Sequence, residues 1–236
     1  MSHIATTDFL VRLKGLYPDS RRATLHSRWY LLAAVAFSAG NIPEVVPIIF
    51  EFVLKELEAQ KSRSKDDTHA VRLLLARRMR DCIFRAGMLN GYARTINSLV
   101  ALSEVTPDDL RDTETLRNTN QAIQQYAEDG RELFQSMYTD DATRVQDLLD
   151  TIHPDMGWFS NTVAYGMVYG GSNVLSQVEV SLIMAVVNTV MDTPQQAGWH
   201  FKNAMSGGVS LEEVEAARSL AMEAVSKCDI VLRRTK

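Results

Sequence analysis

Two short stretches of this chain are apolar almost all the way round. Leu31-Leu-Ala-Ala-Val-Ala-Phe37 and Val180-Ser-Leu-Ile-Met-Ala-Val-Val187 would give a helix no polar face, and such a helix has to be buried centrally. Even the longer run, Trp29 to Ala39, falls far short of the roughly 20 apolar residues that cross a bilayer. The chain is therefore expected to build its core around two inner helices and to have no membrane span.

The rest of the sequence agrees with a helical reading. Only 12 Gly and 6 Pro occur in 236 residues, under 8%, where roughly 12% is usual, so turns are few and helices long. Start signals recur: Asn41-Ile-Pro-Glu44, Thr106-Pro107-Asp108-Asp109, Ser176-x-x-Glu179, Thr193-Pro194-Gln195-Gln196 and Ser210-x-x-Glu213. Each places a side-chain oxygen at orphan N–H groups, with an acid or amide able to reach back. Asp66-Asp67 and Asp140-Asp141 read as further caps, and Gly207-Gly208 as a helix C-cap. The pattern predicts helices over 5–15, 22–39, 43–60, 67–87, 90–102, 107–137, 140–152, 156–169, 177–191, 194–205 and 211–227. Period-two alternation is nearly absent, so the fold class is all-α.

The two apolar stretches also align with one another. A shift of 151 residues sets Leu31 on Leu182, Ala34 on Ala185, Val35 on Val186, Pro43 on Pro194 and Phe50 on Phe201. This suggests a single domain, 1–236, made of two related helical units, 22–103 and 156–228. Between them, residues 104–155 carry 13 acids against four Arg and read as an acidic, solvated helical connector.

A formal charge of −4 argues against nucleic acid as a partner, since phosphate binding needs concentrated positive charge. Cys82 and Cys228 stand 146 positions apart, which gives no CxxC, zinc pattern or disulfide framework. His3, His26, His69 and His153 show no metal-ligand spacing, and no phosphate loop, nucleophile elbow or HExxH motif occurs. No metal and no cofactor are expected. The placement expected is intracellular and cytoplasmic first. A mitochondrial alternative rests on five Lys/Arg against two acids in residues 1–30. The peroxisomal alternative lacks support from the ending Arg-Arg-Thr-Lys236, which is not of the Ser-Lys-Leu type.

Two segments carry a family resemblance. Leu175-Ser-Gln-Val-Glu179, followed by Gln196-Ala-Gly-Trp-His200 and then Gly208-Val-Ser-Leu-Glu-Glu-Val214, resembles the carboxymuconolactone decarboxylase and alkylhydroperoxidase AhpD-like superfamily. That superfamily shows Leu-Ser-x-x-Glu, a His-bearing helix, then Gly-(Ala/Val)-(Ser/Thr)-x-Glu-Glu-(Val/Ile). Arg77-Arg-Met-Arg-Asp81 and the stretch from Ala86 to Leu99, with Gly91-Tyr-Ala-Arg94-Thr-Ile-Asn-Ser-Leu99, look like the family's Gly-x-Pro-Arg-x-Ile-Asn-x-Leu, although Tyr92-Ala93 replaces the usual Phe/Ile-Pro. The tandem arrangement is similar to fungal AhpD-like proteins, some of them peroxisomal. Peroxidase members carry Cys-x-x-Cys-x-x-x-His, where a helix N-terminus stabilises a thiolate. Anchored on His200, those cysteine positions hold Thr193 and Gln196. Neither can form or exchange a disulfide. The resemblance thus implies the helical fold, a pocket near the His helix and a homo-oligomer, but not thiol-peroxidase chemistry.

The candidate site follows from these residues. His200 is the proposed acid/base, with Glu179 as the upstream proton carrier. Gln196, Thr193, Trp199 and Arg94 are candidates for holding a substrate. Each also has a plainer role: a packed histidine, a capping box for Glu179, a capping pair for Thr193 and Gln196, a structural contact for Arg94. Cys82, among arginines, is either a reactive thiol or a small buried apolar residue. Arg72, Arg77, Arg78, Arg80 and Arg85 read as a solvated face pairing with the acidic connector, or as the source of one Arg that clamps a substrate carboxylate, and Tyr165-Gly-Met-Val-Tyr-Gly170 as core or subunit interface, with a ligand-pocket wall as the alternative. The function expected first is a binding or structural oligomer whose partner is itself, with a small organic ligand as a further partner. The alternatives are a cofactor-free enzyme acting on a small organic acid or carbonyl compound through His200 and Glu179, and a residual antioxidant role for Cys82.

Overall fold

The computed structural model describes residues 4–18, 25, 27–60 and 68–233, and among these there is no β-strand. The caps at Asp66-Asp67, residue 22, and His3 and His26 lie outside the described residues; Leu25, Ser27 and Arg28 are described and not helical, so the helix predicted over 22–39 begins only at Trp29. The helices are α1 (Thr7–Gly15), α2 (Trp29–Ala39), α3 (Val45–Gln60), α4 (Thr68–Asn90), α5 (Tyr92–Val105), α6 (Ile123–Tyr138), α7 (Ala142–Ile152), α8 (Pro154–Phe159), α9 (Gln177–Val190), α10 (Pro194–Ser206) and α11 (Leu211–Lys227). α8 runs on into a π-helix over Ser160–Tyr169.

The two apolar helices lie at the centre, as their composition requires. Every residue of α2 is buried, as is nearly every residue of α9 from Glu179 onward. They pack against each other; α3, α4 and α11 cover α2, and α10, α11 and α4 cover α9. Both end in the same way. Asn41 (φ 60°) and Asp192 (φ 57°) adopt the left-handed conformation just past the helix. The next N–H in each case, Ile42 or Thr193, donates to Phe37 O at 3.0 Å or Asn188 O at 2.9 Å. This is the Schellman closure, and the two examples are related by the 151-residue shift. Gly208 after α10 and Asp229 after α11 close in the same way, through Val209→Ala204 and Ile230→Val225.

These closures correct two expected N-caps. Asn41 terminates α2 instead of opening α3, and the hydroxyl of Thr193 donates to Asn188 Oδ1 at 2.6 Å instead of capping α10. Both residues occupy the reversal between helices, where the backbone of the preceding cap dictates their geometry. The Gly207-Gly208 C-cap and the Ser176 and Ser210 N-caps form as expected.

The long helix predicted over 107–137 is not continuous. Thr106 Oγ1 donates back to Leu102 O at 2.7 Å, closing α5. A 3-10 turn at Asp108–Leu110 follows, then an irregular run to Ala122. That run is short and polar, and its side chains bond locally, Thr115 to Arg117 O and Asn118 to Asn120 N. Such bonds compete with a helix ladder. Apolar periodicity restarts only at α6.

α6 is not a bare solvated connector. Its Tyr126, Phe134, Met137 and Tyr138 are buried, and its backbone lies directly against the π-helix. A Cβ at Gly130 would sit 1.9 Å from Asn161 O, and one at Gly166 would sit 2.1 Å from Tyr126 O. The small residues of Tyr165–Gly170 therefore serve packing within the chain. Replacing Gly130 by Ala is expected to lower the melting temperature by roughly 4–8 °C, about 2 kcal/mol of overpacking. Gly198→Ala, on α10 with open space around it, should raise it by about 2 °C through the unfolded state; circular dichroism melts report both.

Candidate functional site

Glu179 sits in the first turn of α9, and both its carboxylate oxygens are engaged. Its Oε2 accepts from Ser176 N at 2.9 Å and from Ser176 Oγ at 3.0 Å, while Ser176 Oγ accepts from Glu179 N, a complete capping box. Its Oε1 accepts from the Arg78 guanidinium of α4 at 2.5 Å, and Arg78 Nε donates to Tyr30 OH of α2 at 2.9 Å. Burial alone would push the Glu179 carboxyl up, but the hydrogen bond and charge of Arg78 outweigh it and hold the group below its ordinary range. Glu179 is thus an ionised structural partner. Burial also pushes the Tyr30 phenol up to about 12.

His200 lies on the inner face of α10, 4% exposed. Its ring meets the Tyr138 ring edge-on at 6.0 Å, and its Nδ1 has no hydrogen-bond partner. Desolvation pushes it down to about 4, so it is neutral at physiological pH. Trp199 also stands edge-on to Tyr138, at 6.5 Å. Around them Phe134, Tyr138, Tyr165 and Tyr169 form one aromatic cluster joining α6, the π-helix and α10.

The remaining candidates are dispersed. Thr193 is bonded to Asn188, and Gln196 is half-buried. Arg94 donates to Ala39 O at 2.6 Å and reaches Met191 Sδ at 3.1 Å, lying across the C-terminal ends of α2 and α9. The structure thus brings His200 and Trp199 onto Tyr138, while Glu179 is committed to Arg78. Three clefts among the described residues, of about 290, 410 and 240 Å³, are lined by none of these six side chains. Those residues include no group of three His, Cys, Asp or Glu placed to hold a metal.

Cys82 lies in the core. It is wholly buried, donates to Met79 O at 3.1 Å, and burial pushes its thiol well above the ordinary range. Cys228 is half-buried and pushed up to about 11. Both are free. A peroxidatic cysteine works as an exposed thiolate; Cys82 is buried and Cys228 half-buried.

The basic cluster of α4 is not one solvated face. Arg72, Arg77 and Arg80 do pair outward, with Asp109 and Asp112. Arg78 and Arg85 are instead buried. Arg85 donates to Asp81, Ser172 and Tyr169 O, and Arg117 donates to Asp81, Met167 O and Val168 O. Together they satisfy the last carbonyls of the π-helix. The overlooked signal was spacing: 78, 82 and 85 recur at i, i+4 and i+7 beside the core positions 75, 79, 83 and 86.

Two outcomes test this arrangement. Arg78→Met strands a buried carboxylate and is expected to cost about 3–5 kcal/mol in denaturant melts, and adding Glu179→Gln should recover more than half of it. The pKa of His200 is depressed on folding, so its stabilising effect is complete above pH 6.5 and is lost as pH falls toward 4. Wild type should lose about 2 kcal/mol between pH 6.5 and 4.5 that His200→Phe retains.

No protein-family model matches the chain, and no solved structure matches it. Two curated relatives do. The chain is 25% identical to Peroxisomal protein 2 of Saccharomyces cerevisiae over 98% of this chain and 97% of the relative. It is 26% identical to Peroxisomal protein 2 of Schizosaccharomyces pombe over 85% of this chain and 87% of the relative. Together, fold and comparisons establish an all-α chain similar along nearly its whole length to proteins named for the peroxisome. Those names state a place and no reaction.

Proposed function

We propose that this chain is an AhpD-like, carboxymuconolactone decarboxylase-like protein without redox cysteines, acting in the peroxisome as a binding or structural homo-oligomer. The observation that carries this reading is the occupancy of the two residues a proton relay would use. Glu179 is fixed between Ser176 and Arg78, and His200 is neutral and packed against Tyr138. Thr193 and Gln196 stand where the superfamily's cysteines would be, and Cys82 is buried. The reading as two related units, 22–103 and 156–228 joined by 104–155, draws support from the matching closures of α2 and α9. The peroxisomal placement draws on the names of both relatives; it displaces the cytoplasm as the first expectation.

A second reading, a cofactor-free enzyme on a small organic acid or carbonyl compound, has one observation in its favour. His200 Nδ1 is a buried nitrogen without a partner, and buried polar atoms are seldom left so. One experiment separates the two readings: peroxisomes are purified from cells expressing the untagged chain, and the chain recovered is measured by native mass spectrometry. A homo-oligomer with no retained small molecule is expected. A monomer at low micromolar concentration, or absence from the peroxisomal fraction, overturns the first reading. A retained acid or carbonyl compound that is lost in His200→Phe establishes the second.

A further inference from the structure

The outward face of α5 carries an exposed apolar stripe. Tyr92, Ile96 and Val100 recur at i, i+4 and i+8 and are 83%, 42% and 51% exposed. Leu99, on the same helix, continues this stripe into the 410 Å³ groove between α4, α5 and the 112–119 segment, where Phe84 and Leu116 form further apolar wall. α5 carries only two charged residues, Arg94 and Glu104. Arg94 is turned inward to Ala39 and Met191. Glu104 is exposed at the C-terminal end and makes no ion pair among the described residues. At the other end, Gly91 provides no side-chain cap, so the first-turn N–H groups of α5 keep their donors and the positive end of the helix dipole.

We propose that this face is the contact between two copies of the chain, with the two α5 helices packed antiparallel about a two-fold axis. The proposal rests on the oligomer reading above and adds the surface. Charge complementarity sets the orientation. In the antiparallel register that places Ile96 against Val100 of the partner subunit, Glu104 lies at the height of Tyr92 of the partner subunit, where its carboxylate meets uncapped N–H donors. The two-fold repeats that contact at the other end. Between the two ends the stripe itself is uncharged, and the adjoining groove carries both signs, Asp112 and Glu114 beside Arg80 and Arg117. A parallel arrangement would oppose Glu104 to its own copy.

The available area fits this occupant. Weighted by exposure, Tyr92, Ile96, Val100, Phe84 and Leu116 offer on the order of 500 Å² of apolar surface. A stable dimer buries about 800 Å² per partner, roughly two thirds of it apolar in homodimers. Asn97, exposed on the same face, lies close to the axis, where two facing amides can bond to each other and fix the register.

Analytical ultracentrifugation of the full chain tests the proposal. Wild type is expected to sediment as a dimer at low micromolar concentration, and Ile96→Glu with Val100→Glu as a monomer of unchanged helicity by circular dichroism. Glu104→Lys should raise the dimer dissociation constant roughly tenfold. Should the double variant misfold, a short bis-maleimide gives the same decision. It is expected to link Asn97→Cys chains in a Cys228→Ser background and to leave Glu128→Cys chains on α6 unlinked. An oligomer that survives the double glutamate variant, or an unlinked Asn97→Cys, overturns the α5 surface and leaves the oligomer reading standing. A wild-type monomer overturns both.

Discussion

Arg78 is the pivot of the arrangement around the two inner helices. Its guanidinium is buried where α2, α4 and α9 meet, donating to Tyr30 and Glu179. A charge in that position would be costly unless its partner were equally buried, and here Glu179 is buried beside it, with each guanidinium nitrogen bonded to Glu179 or Tyr30. The pair does more than balance charge. Glu179 is also the capping-box residue of α9, so the start of one central helix is bonded to the helix that flanks both. Apolar packing between α2 and α9 is non-directional and would tolerate sliding; the ion pair gives that packing a register.

A second buried arginine group solves a different problem. A π-helix ends with carbonyls that its own ladder leaves unbonded. Here Arg85 and Arg117 donate to three of them, and Asp81 accepts from both arginines. The irregular 111–122 segment is held in place by the same contacts, with the Arg117 guanidinium lying over the Phe84 ring at 4.2 Å. The polar positions of α4 thus organise two neighbours at once, the central pair through Arg78 and the α6–π-helix layer through Arg85.

This economy bears on function. Charged residues that could have served a catalytic pocket are consumed in holding the helices together, and the one histidine of the family-like motif is sealed under Tyr138 and stays neutral. The proposed oligomer reading draws on that engagement, and the names of the relatives supply the place proposed for it. The uncharged face of α5 is the surface proposed for contact between copies.

Much of the fold was legible in sequence because helix signals are local. Caps, apolar periodicity and the scarcity of Gly and Pro placed most helices within a few residues. The reading failed at 107–137, where Thr106 closes the preceding helix and the polar run after it bonds to itself. The candidate site was less legible, because a side chain's role depends on what lies opposite. Ser176 and Glu179 read as a capping box and form one, yet Arg78 is 101 positions away and nothing local marks it as the partner. Thr193 was read as a cap, but the closure of α9 turned it back to Asn188. The sequence by itself determined the helices and the burial of α2 and α9, since both follow from neighbours along the chain. Only the tertiary structure decided that Glu179 is an ion-pair partner, that His200 is desolvated and that Arg85 closes the π-helix, because each depends on charge and burial contributed by distant segments.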